Sequence, residues 1–117
     1  MSIKIFGIQL AIVFTLMSSA HAETSLSVEN DNLKLHVEID GDKDAPALLL
    51  WNGAACTTRM WDFTIDRLAK HFRVIRFDVR GTGLSDPNPE GVPYTMKQHA
   101  SDANAILDAL GIKKTIV

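Results

Sequence analysis

The sequence predicts an α/β fold in which an antiparallel edge hairpin is followed by parallel strands with crossover helices. Three observations support this prediction. Side chains alternate between apolar and polar from Leu33 to Asp40, a continuous apolar run covers Ala47 to Trp51, and strand and helix patterns alternate from there onward. Such alternation implies a parallel sheet with right-handed crossovers. With 117 residues, 46% of them hydrophobic, the chain offers material for one globular domain.

The first two strands are predicted at Ser25 to Asn30 and at Leu33 to Asp40. In the second, every other side chain is apolar, which is typical of a half-buried antiparallel strand. Asn30, Asp31 and Asn32 are residues that favour a tight turn. We therefore expect these two strands to form a hairpin at the edge of the sheet.

The residues after the hairpin predict two buried strands and two helices. Ala47 to Trp51 has the continuous apolar composition of a strand buried on both faces, and Phe72 to Val79 returns to strand composition. Apolar residues at helical spacing lie between these strands and again from Tyr94 to Leu110, where Thr95 and Gln98 form a capping box. The predicted apolar stripes consist of Trp61, Ile65, Leu68 and Phe72 in the first helix and of Met96, Ala100, Ala103, Leu107 and Leu110 in the second.

Residues 1–22 have the pattern of a secretory signal peptide. Lys4 precedes an apolar run from Ile5 to Met17, and a small-residue cleavage site ends at Ala22. The apolar run is shorter than the roughly 18 residues that predict a membrane-spanning helix. We therefore predict cleavage after Ala22, a periplasmic or secreted mature protein, and no stable membrane anchor after cleavage.

Charge and cysteine content argue against several kinds of site. Removal of Lys4 leaves 11 basic residues against 14 acidic ones, a formal net charge of −3, so we expect no nucleic-acid partner. Cys56 is the single cysteine, and we interpret it as a buried thiol without a catalytic base. The spacing of His36, His71 and His99 is not that of metal ligands, so we expect no metal and no cofactor.

The stretch FDVRGTGLSDP, from Phe77 to Pro87, contains two glycines and a serine directly after an apolar run. It does not match a dinucleotide-binding fingerprint, because Asp86 stands where the third glycine is required. Ser85 also lacks the glycine two residues further on that a nucleophile elbow uses. We therefore expect Ser85 and Asp86 to accept hydrogen bonds from the loop backbone, while the glycines adopt positive φ.

Two motifs together resemble the α/β-hydrolase fold family. FDVRGTGLSDP is similar to its D-x-R-G-x-G-x-S loop, and LLLWNGAACTTRMWD is similar to its strand, H-G-x loop and W-D helix start. The resemblance covers Ser25 to Val117 and implies an esterase- or lactonase-like serine hydrolase with a small-molecule ester or lactone substrate. It also implies that the N–H of Ala54 donates to an oxyanion hole, with Asn52 where histidine is usual. The alternative for this segment is an ordinary turn.

The same resemblance places the nucleophile beyond the residues present. In this family a G-x-S-x-G elbow follows the strand that begins here at Lys113 to Val117, and the acid and histidine come later. We therefore expect residues 23–117 to form an incomplete domain, the N-terminal part of an α/β-hydrolase sheet, without hydrolase activity of its own. The alternative is a non-catalytic binding module, or one half of a split protein completed by a partner chain.

The charged residues of the middle and last segments are predicted to serve structure. We expect the group of Arg67, Arg73, Arg76 and Arg80 to pair with Asp66 and Asp78 instead of forming a ligand patch. Asp102 and Asp108, on the last helix, are expected to face solvent.

Overall fold

The computed structural model describes residues 24–117, which form a four-stranded mixed sheet flanked by short helical segments. The strands are β1 (Thr24–Asn30), β2 (Leu33–Asp40), β3 (Ala47–Leu50) and β4 (Arg73–Phe77). Their order across the sheet is β1-β2-β4-β3; β2 pairs antiparallel with both neighbours, and β3 and β4 are parallel. The predicted α/β fold, with its edge hairpin and parallel strands, is confirmed. The predicted signal peptide, residues 1–22, lies outside the described residues.

The turn of the β1–β2 hairpin is formed by Asp31 and Asn32, which both have positive φ, 51° and 61°. Two successive residues of this kind make a turn whose twist matches that of the strands beside it. The alternation in β2 places Leu35 and Val37 fully inside the core. Turn chemistry and strand period therefore agree, and the hairpin is the part of the fold that the sequence predicts most directly.

The helical segments are a 3₁₀ turn (Thr58–Trp61), a short helix α1 (Ile65–Leu68) and the longer helix α2 (Met96–Ala109). The first predicted helix, with its apolar stripe from Trp61 to Phe72, is not one continuous helix in the structure. Hydrogen bonds from Met60 to Thr57 and from Asp62 to Arg59 span three residues instead of four, which tightens the first turn. The tighter turn places Trp61 against the end of β3, where its indole has a hydrogen-bond partner.

Helix α2 begins at the predicted capping box. Thr95 accepts a hydrogen bond from the backbone of Gln98, whose side chain accepts one from the backbone of Thr95. The predicted apolar stripe is correct in part, because Ala103 is buried but Met96 is 74% exposed. The side chains that α2 buries are those of Asp102, Ala103 and Ile106.

Apolar side chains are buried on both faces of the sheet. One cluster packs against α2 and includes Leu35, Phe77 and Ile106, and Trp51 meets Phe77 edge-on with ring centroids 5.5 Å apart. A smaller cluster of Leu50, Ile65 and Val74 lies on the α1 side. The sheet is therefore covered on both faces, as expected for parallel strands. No helix within residues 24–117 is long and apolar enough to cross a membrane.

The last residues approach the free side of β3. Ile116 donates its N–H to the carbonyl of Ala47 at 3.0 Å and accepts from the N–H of Leu49 at 2.8 Å, which makes a parallel bridge. This bridge agrees with the prediction that Lys113 to Val117 begins another strand. It also means that β3 has hydrogen-bonded neighbours on both sides.

Candidate active site

The loop after β3, from Asn52 to Cys56, leaves the sheet at the carboxyl end of a parallel strand. A hydrogen bond of 3.0 Å from the N–H of Cys56 to the carbonyl of Gly53 closes a tight turn, in which Ala55 has a φ of 59°. Ala54 is exposed at the tip of this turn. Within residues 24–117 no group accepts a hydrogen bond from its N–H, so this donor is available to a ligand.

The side chain of Asn52 fixes the start of this loop. It is 5% exposed, and its Nδ2 donates to the carbonyl of Phe77 at 2.7 Å while its Oδ1 accepts from Nε1 of Trp61 at 2.8 Å. Asn52 thus connects the ends of β3 and β4 to the 3₁₀ turn. The N–H of Gly53 donates to the thioether of Met60 at 3.4 Å, which holds the next residue against the same turn.

The segment Asp78 to Asp86, which we call the glycine loop, lies at the carboxyl end of β4. The buried carboxylate of Asp78 accepts from the backbone N–H of Thr58 at 2.8 Å and of Leu84 at 3.0 Å. Gly81 and Gly83 have positive φ, 80° and 50°, as predicted. Asp78 therefore joins the glycine loop to the helical segment that follows the β3 loop.

Ser85 and Asp86 do accept backbone hydrogen bonds, but from β2 instead of from their own loop. Oγ of Ser85 accepts from the N–H of His36 at 2.9 Å and donates to the carbonyl of Asp78. A carboxylate oxygen of Asp86 accepts from the N–H of Lys34 at 2.8 Å. Because both sides of the Ser85 hydroxyl are engaged with the backbone, this residue has a structural role, as predicted.

Arg80 connects the glycine loop to α2 and to the hairpin turn. It is 3% exposed and donates to both carboxylate oxygens of Asp102, at 2.8 and 2.6 Å, and to Asp31 at 3.1 Å. The hydrogen bonds to Asp102 raise the pKa of Arg80 above its ordinary value. The predictions that Arg80 pairs with Asp66 or Asp78 and that Asp102 faces solvent are both wrong. A buried guanidinium requires a buried carboxylate partner, and Asp102 provides it; Asp108 is exposed as predicted.

A second buried charge cluster lies on the polar face of β2. Arg76, directly opposite Glu38 in the register, contacts Glu38 at 3.0 Å, Asp40 at 3.3 Å and Asp62 at 2.8 Å. Glu38 also pairs with Arg59 and with Nε2 of His36. Pairing of Arg76 with Asp66 or Asp78 was therefore also a wrong prediction. The signal in the sequence that could have predicted these pairs is the presence of acidic residues, Glu38 and Asp40, at alternate positions of β2.

These contacts place an exposed backbone N–H, that of Ala54, at the carboxyl edge of the sheet. A backbone N–H directed out of a fixed loop stabilises negative charge that develops on a substrate oxygen. The N–H of Ala54 belongs to a loop held by such contacts, and its role in catalysis stays a prediction.

Comparison with known proteins identifies the family. The model of the α/β-hydrolase fold matches residues 46–117, the larger part of the chain. The chain belongs to the α/β-hydrolase fold family.

Relatives within this family include lactonases. The 3-oxoadipate enol-lactonase 1 of Acinetobacter baylyi is 34% identical over 99 residues, which are 84% of this chain and 35% of that protein. The probable oxidoreductase EphD of Mycobacterium tuberculosis is 35% identical over 81 residues, 68% of this chain and 14% of that protein. The crystal structure of the enol-lactonase from Burkholderia xenovorans LB400 is 36% identical with a TM-score of 0.69 and covers 79% of this chain and 35% of its own. The chain thus spans about a third or less of the length of these relatives.

The other candidate residues of this α/β-hydrolase chain include Cys56, at the end of the β3 loop, and His71, which precedes β4. Cys56 is partly exposed instead of buried, and His71 is exposed. Within the described range no cluster of three or more histidine, cysteine or acidic residues could hold a metal ion. The β3 loop and its supports are therefore the candidate site.

Proposed function

We propose that this chain belongs to an exported hydrolase of carboxylic esters or lactones in which the N–H of Ala54 is one donor of the oxyanion hole. The observation that carries the proposal is the unbonded N–H of Ala54, at the carboxyl end of β3 in a loop supported on both sides. The two enol-lactonases that resemble this chain support the lactone class.

Hydrolysis of an ester begins when a nucleophile attacks the carbonyl carbon and negative charge develops on the carbonyl oxygen. Donors already in place stabilise this charge without reorganisation. Ser85 is unsuited as the nucleophile, because its hydroxyl is engaged with the backbone of His36 and Asp78. We therefore assign the nucleophile, its base and the second donor to segments outside residues 24–117, and we expect this segment alone to give no turnover.

Replacement of Ala54 by proline tests the donor, since proline has no N–H. In the complete gene product we expect Ala54→Pro to lower kcat for p-nitrophenyl acetate and for a simple lactone by about a hundredfold to a thousandfold, the usual cost of losing one oxyanion donor. Steady-state kinetics measure the effect.

The matched control is Ala54→Gly, which keeps the N–H at the same exposed position. It should retain kcat, and circular dichroism of both variants should show the wild-type fold. Wild-type kcat in a folded Ala54→Pro variant would show that Ala54 is not a donor, and absence of turnover in the wild type would reject the ester and lactone class.

Export depends on the leader pattern in residues 1–22. We expect the protein isolated from the periplasm or medium of an expressing bacterium to begin at Glu23, and N-terminal sequencing measures this directly. Charged residues in place of the central leucines and isoleucines of the leader should leave the protein unprocessed inside the cell. A mature protein that still begins at Met1 would contradict the proposal.

A further inference from the structure

Two of the four methionines of the chain, Met60 and Met96, lie within the described residues. Met60 is 45% exposed in the 3₁₀ turn, and its thioether accepts a hydrogen bond from the N–H of Gly53 at 3.4 Å. We propose that Met60 is a peroxide-sensitive modification site, whose oxidation to the sulfoxide releases the N–H of Gly53 and displaces the β3 loop. The effect of this modification on turnover rests on the function proposed above.

The modification transfers one oxygen atom from a hydroperoxide to the sulfur of Met60. A lone pair of the thioether attacks one peroxide oxygen, and the S–O bond forms as the O–O bond breaks. The sulfur is oxidised by two electrons, and with hydrogen peroxide the other oxygen leaves as water. The product is a polar, chiral sulfoxide in place of a flexible apolar side chain. Met60 is open to this reaction because nearly half of the residue is accessible to solvent.

The contact between Met60 and Gly53 is lost in either orientation of the new oxygen. An oxygen on the lone pair that faces the N–H has no room, because nitrogen and sulfur are 3.4 Å apart and an N–H···O hydrogen bond alone takes about 2.9 Å. An oxygen on the other lone pair withdraws electron density from the sulfur, which then carries partial positive charge and no longer accepts. The N–H of Gly53 therefore loses its acceptor in both cases.

The β3 loop has little else to hold it at Gly53. Gly53, Ala54 and Ala55 are exposed and carry no side chain longer than a methyl group. The N–H of Cys56 closes the turn on the carbonyl of Gly53 at 3.0 Å, so the turn moves with Gly53. Ala54 follows directly, and its N–H is reoriented when Gly53 shifts. A displacement of about 1 Å at a reacting centre can lower the rate by about a hundredfold.

The hydrogen bond at Met60 also predicts the stereochemistry of the sulfoxide. Because the N–H of Gly53 occupies one side of the sulfur, peroxide reaches it from the other side, and one epimer should form in excess. Met96 is 74% exposed, and within residues 24–117 its sulfur has no hydrogen-bond partner, so both epimers should form there. The two methionine sulfoxide reductases each reduce one epimer and therefore distinguish the two sites.

Treatment of the complete gene product with hydrogen peroxide, followed by peptide mass spectrometry, tests the modification. We expect oxidation of both Met60 and Met96. One reductase alone should restore most of the thioether of Met60, whereas either reductase alone should restore only about half of that of Met96. Absence of oxidation at Met60, or equal amounts of the two epimers there, would overturn the proposal.

Turnover of p-nitrophenyl acetate before and after peroxide tests the effect on the β3 loop. We expect kcat to fall by about tenfold to a hundredfold in the wild type and in Met96→Leu, the matched control. The reductase that restores Met60 should also restore kcat. Met60→Leu has no sulfur to oxidise, so peroxide should not lower its kcat below that of its own untreated sample. A loss in Met60→Leu as large as in the wild type would overturn the proposal.

Cys56 is the other sulfur that peroxide could reach in this loop. Its thiol is partly exposed, and a Cβ built on Gly53 would meet Sγ at 3.7 Å. Cys56→Ser should remain as sensitive to peroxide as the wild type, and resistance of this variant would assign the effect to the thiol and reject Met60. If the untreated wild type hydrolyses no ester, the proposed function fails, and the epimer ratio at Met60 still decides whether its sulfur holds Gly53.

Discussion

At the scale of single residues, Gly83 shows how little space the glycine loop leaves for a side chain. Its φ is 50°, and a Cβ built on it would overlap the carboxylate of Asp78. That carboxylate accepts from the backbone N–H groups of Thr58 and Leu84. A methyl group at this position would therefore displace the acceptor that joins two loops at the same edge of the sheet.

We expect Gly83→Ala to lower the free energy of unfolding by about 3 kcal/mol or more, since backbone strain adds to two unpaired N–H groups. Gly91 provides the comparison, because its φ is also positive, 79°, and a Cβ there meets nothing within 4 Å. Gly91→Ala should cost only about 1 kcal/mol, the strain alone. Urea unfolding of both variants measures the difference. Equal losses would mean that the clash with Asp78 is relieved by a small shift.

At the scale of elements, the ion pair of Arg80 and Asp102 holds α2 against the sheet and the hairpin. The side chain of Asp102 is fully buried, and its Oδ1 also accepts from Nδ2 of Asn30 at 2.8 Å. Asn30 and Asp31 belong to the hairpin, and Arg80 belongs to the glycine loop. The carboxylate of Asp102 thus connects α2 to the hairpin and to the glycine loop, two segments that are distant from it in sequence.

Removal of this carboxylate leaves a buried guanidinium with a weaker set of partners. We expect Asp102→Asn to lower the free energy of unfolding by about 3 kcal/mol, the lower end of the range for a broken buried pair, because Asp31 still contacts Arg80. Asp108→Asn, on the exposed face of the same helix, should change it by less than about 0.5 kcal/mol. Chemical denaturation checks both, and equal effects would contradict a specific role for Asp102.

The pH dependence of this stabilisation follows from the direction of the pKa shift. The pKa of Arg80 is higher in the folded protein than in the unfolded chain, so its contribution is fully present below the unfolded pKa and is lost only above the folded one. Both values lie above the neutral range. The stability difference between wild type and Asp102→Asn should therefore stay constant from about pH 7 to about pH 9.

At the scale of the whole molecule, the strands and the capped start of α2 were predictable because their signals are local. Alternation in β2, the apolar run of β3 and the Thr95–Gln98 box each depend on neighbouring residues. The burial of Asp102 was not predictable from its helix, since its partner lies 22 residues earlier in a loop. The break near Trp61 likewise coincides with a contact outside the helix, the hydrogen bond from its indole to Asn52.

The candidate site also has one part that local sequence signals predict and another that they do not. The position of Ala54 follows from a short motif directly after a buried strand, and the structure places it at the carboxyl end of β3 as expected. The two contacts of Asn52 join residues 9 and 25 positions apart, a separation that no local pattern encodes. Motif and spacing therefore predict where a loop lies, whereas its supports depend on which strands become neighbours.

The hydrogen bonds between the glycine loop and β2 bear on how copies of this protein behave beside one another. Strand β4 pairs with β2 only from Val37 to Asp40, so the first half of β2 has no β4 neighbour. The N–H groups of Lys34 and His36, which would otherwise form an open strand edge, are taken by Asp86 and Ser85. Open edges of this kind recruit strands from other molecules and start aggregation. Because Ser85 and Asp86 occupy these N–H groups, this part of β2 is not available for pairing with a strand of another molecule.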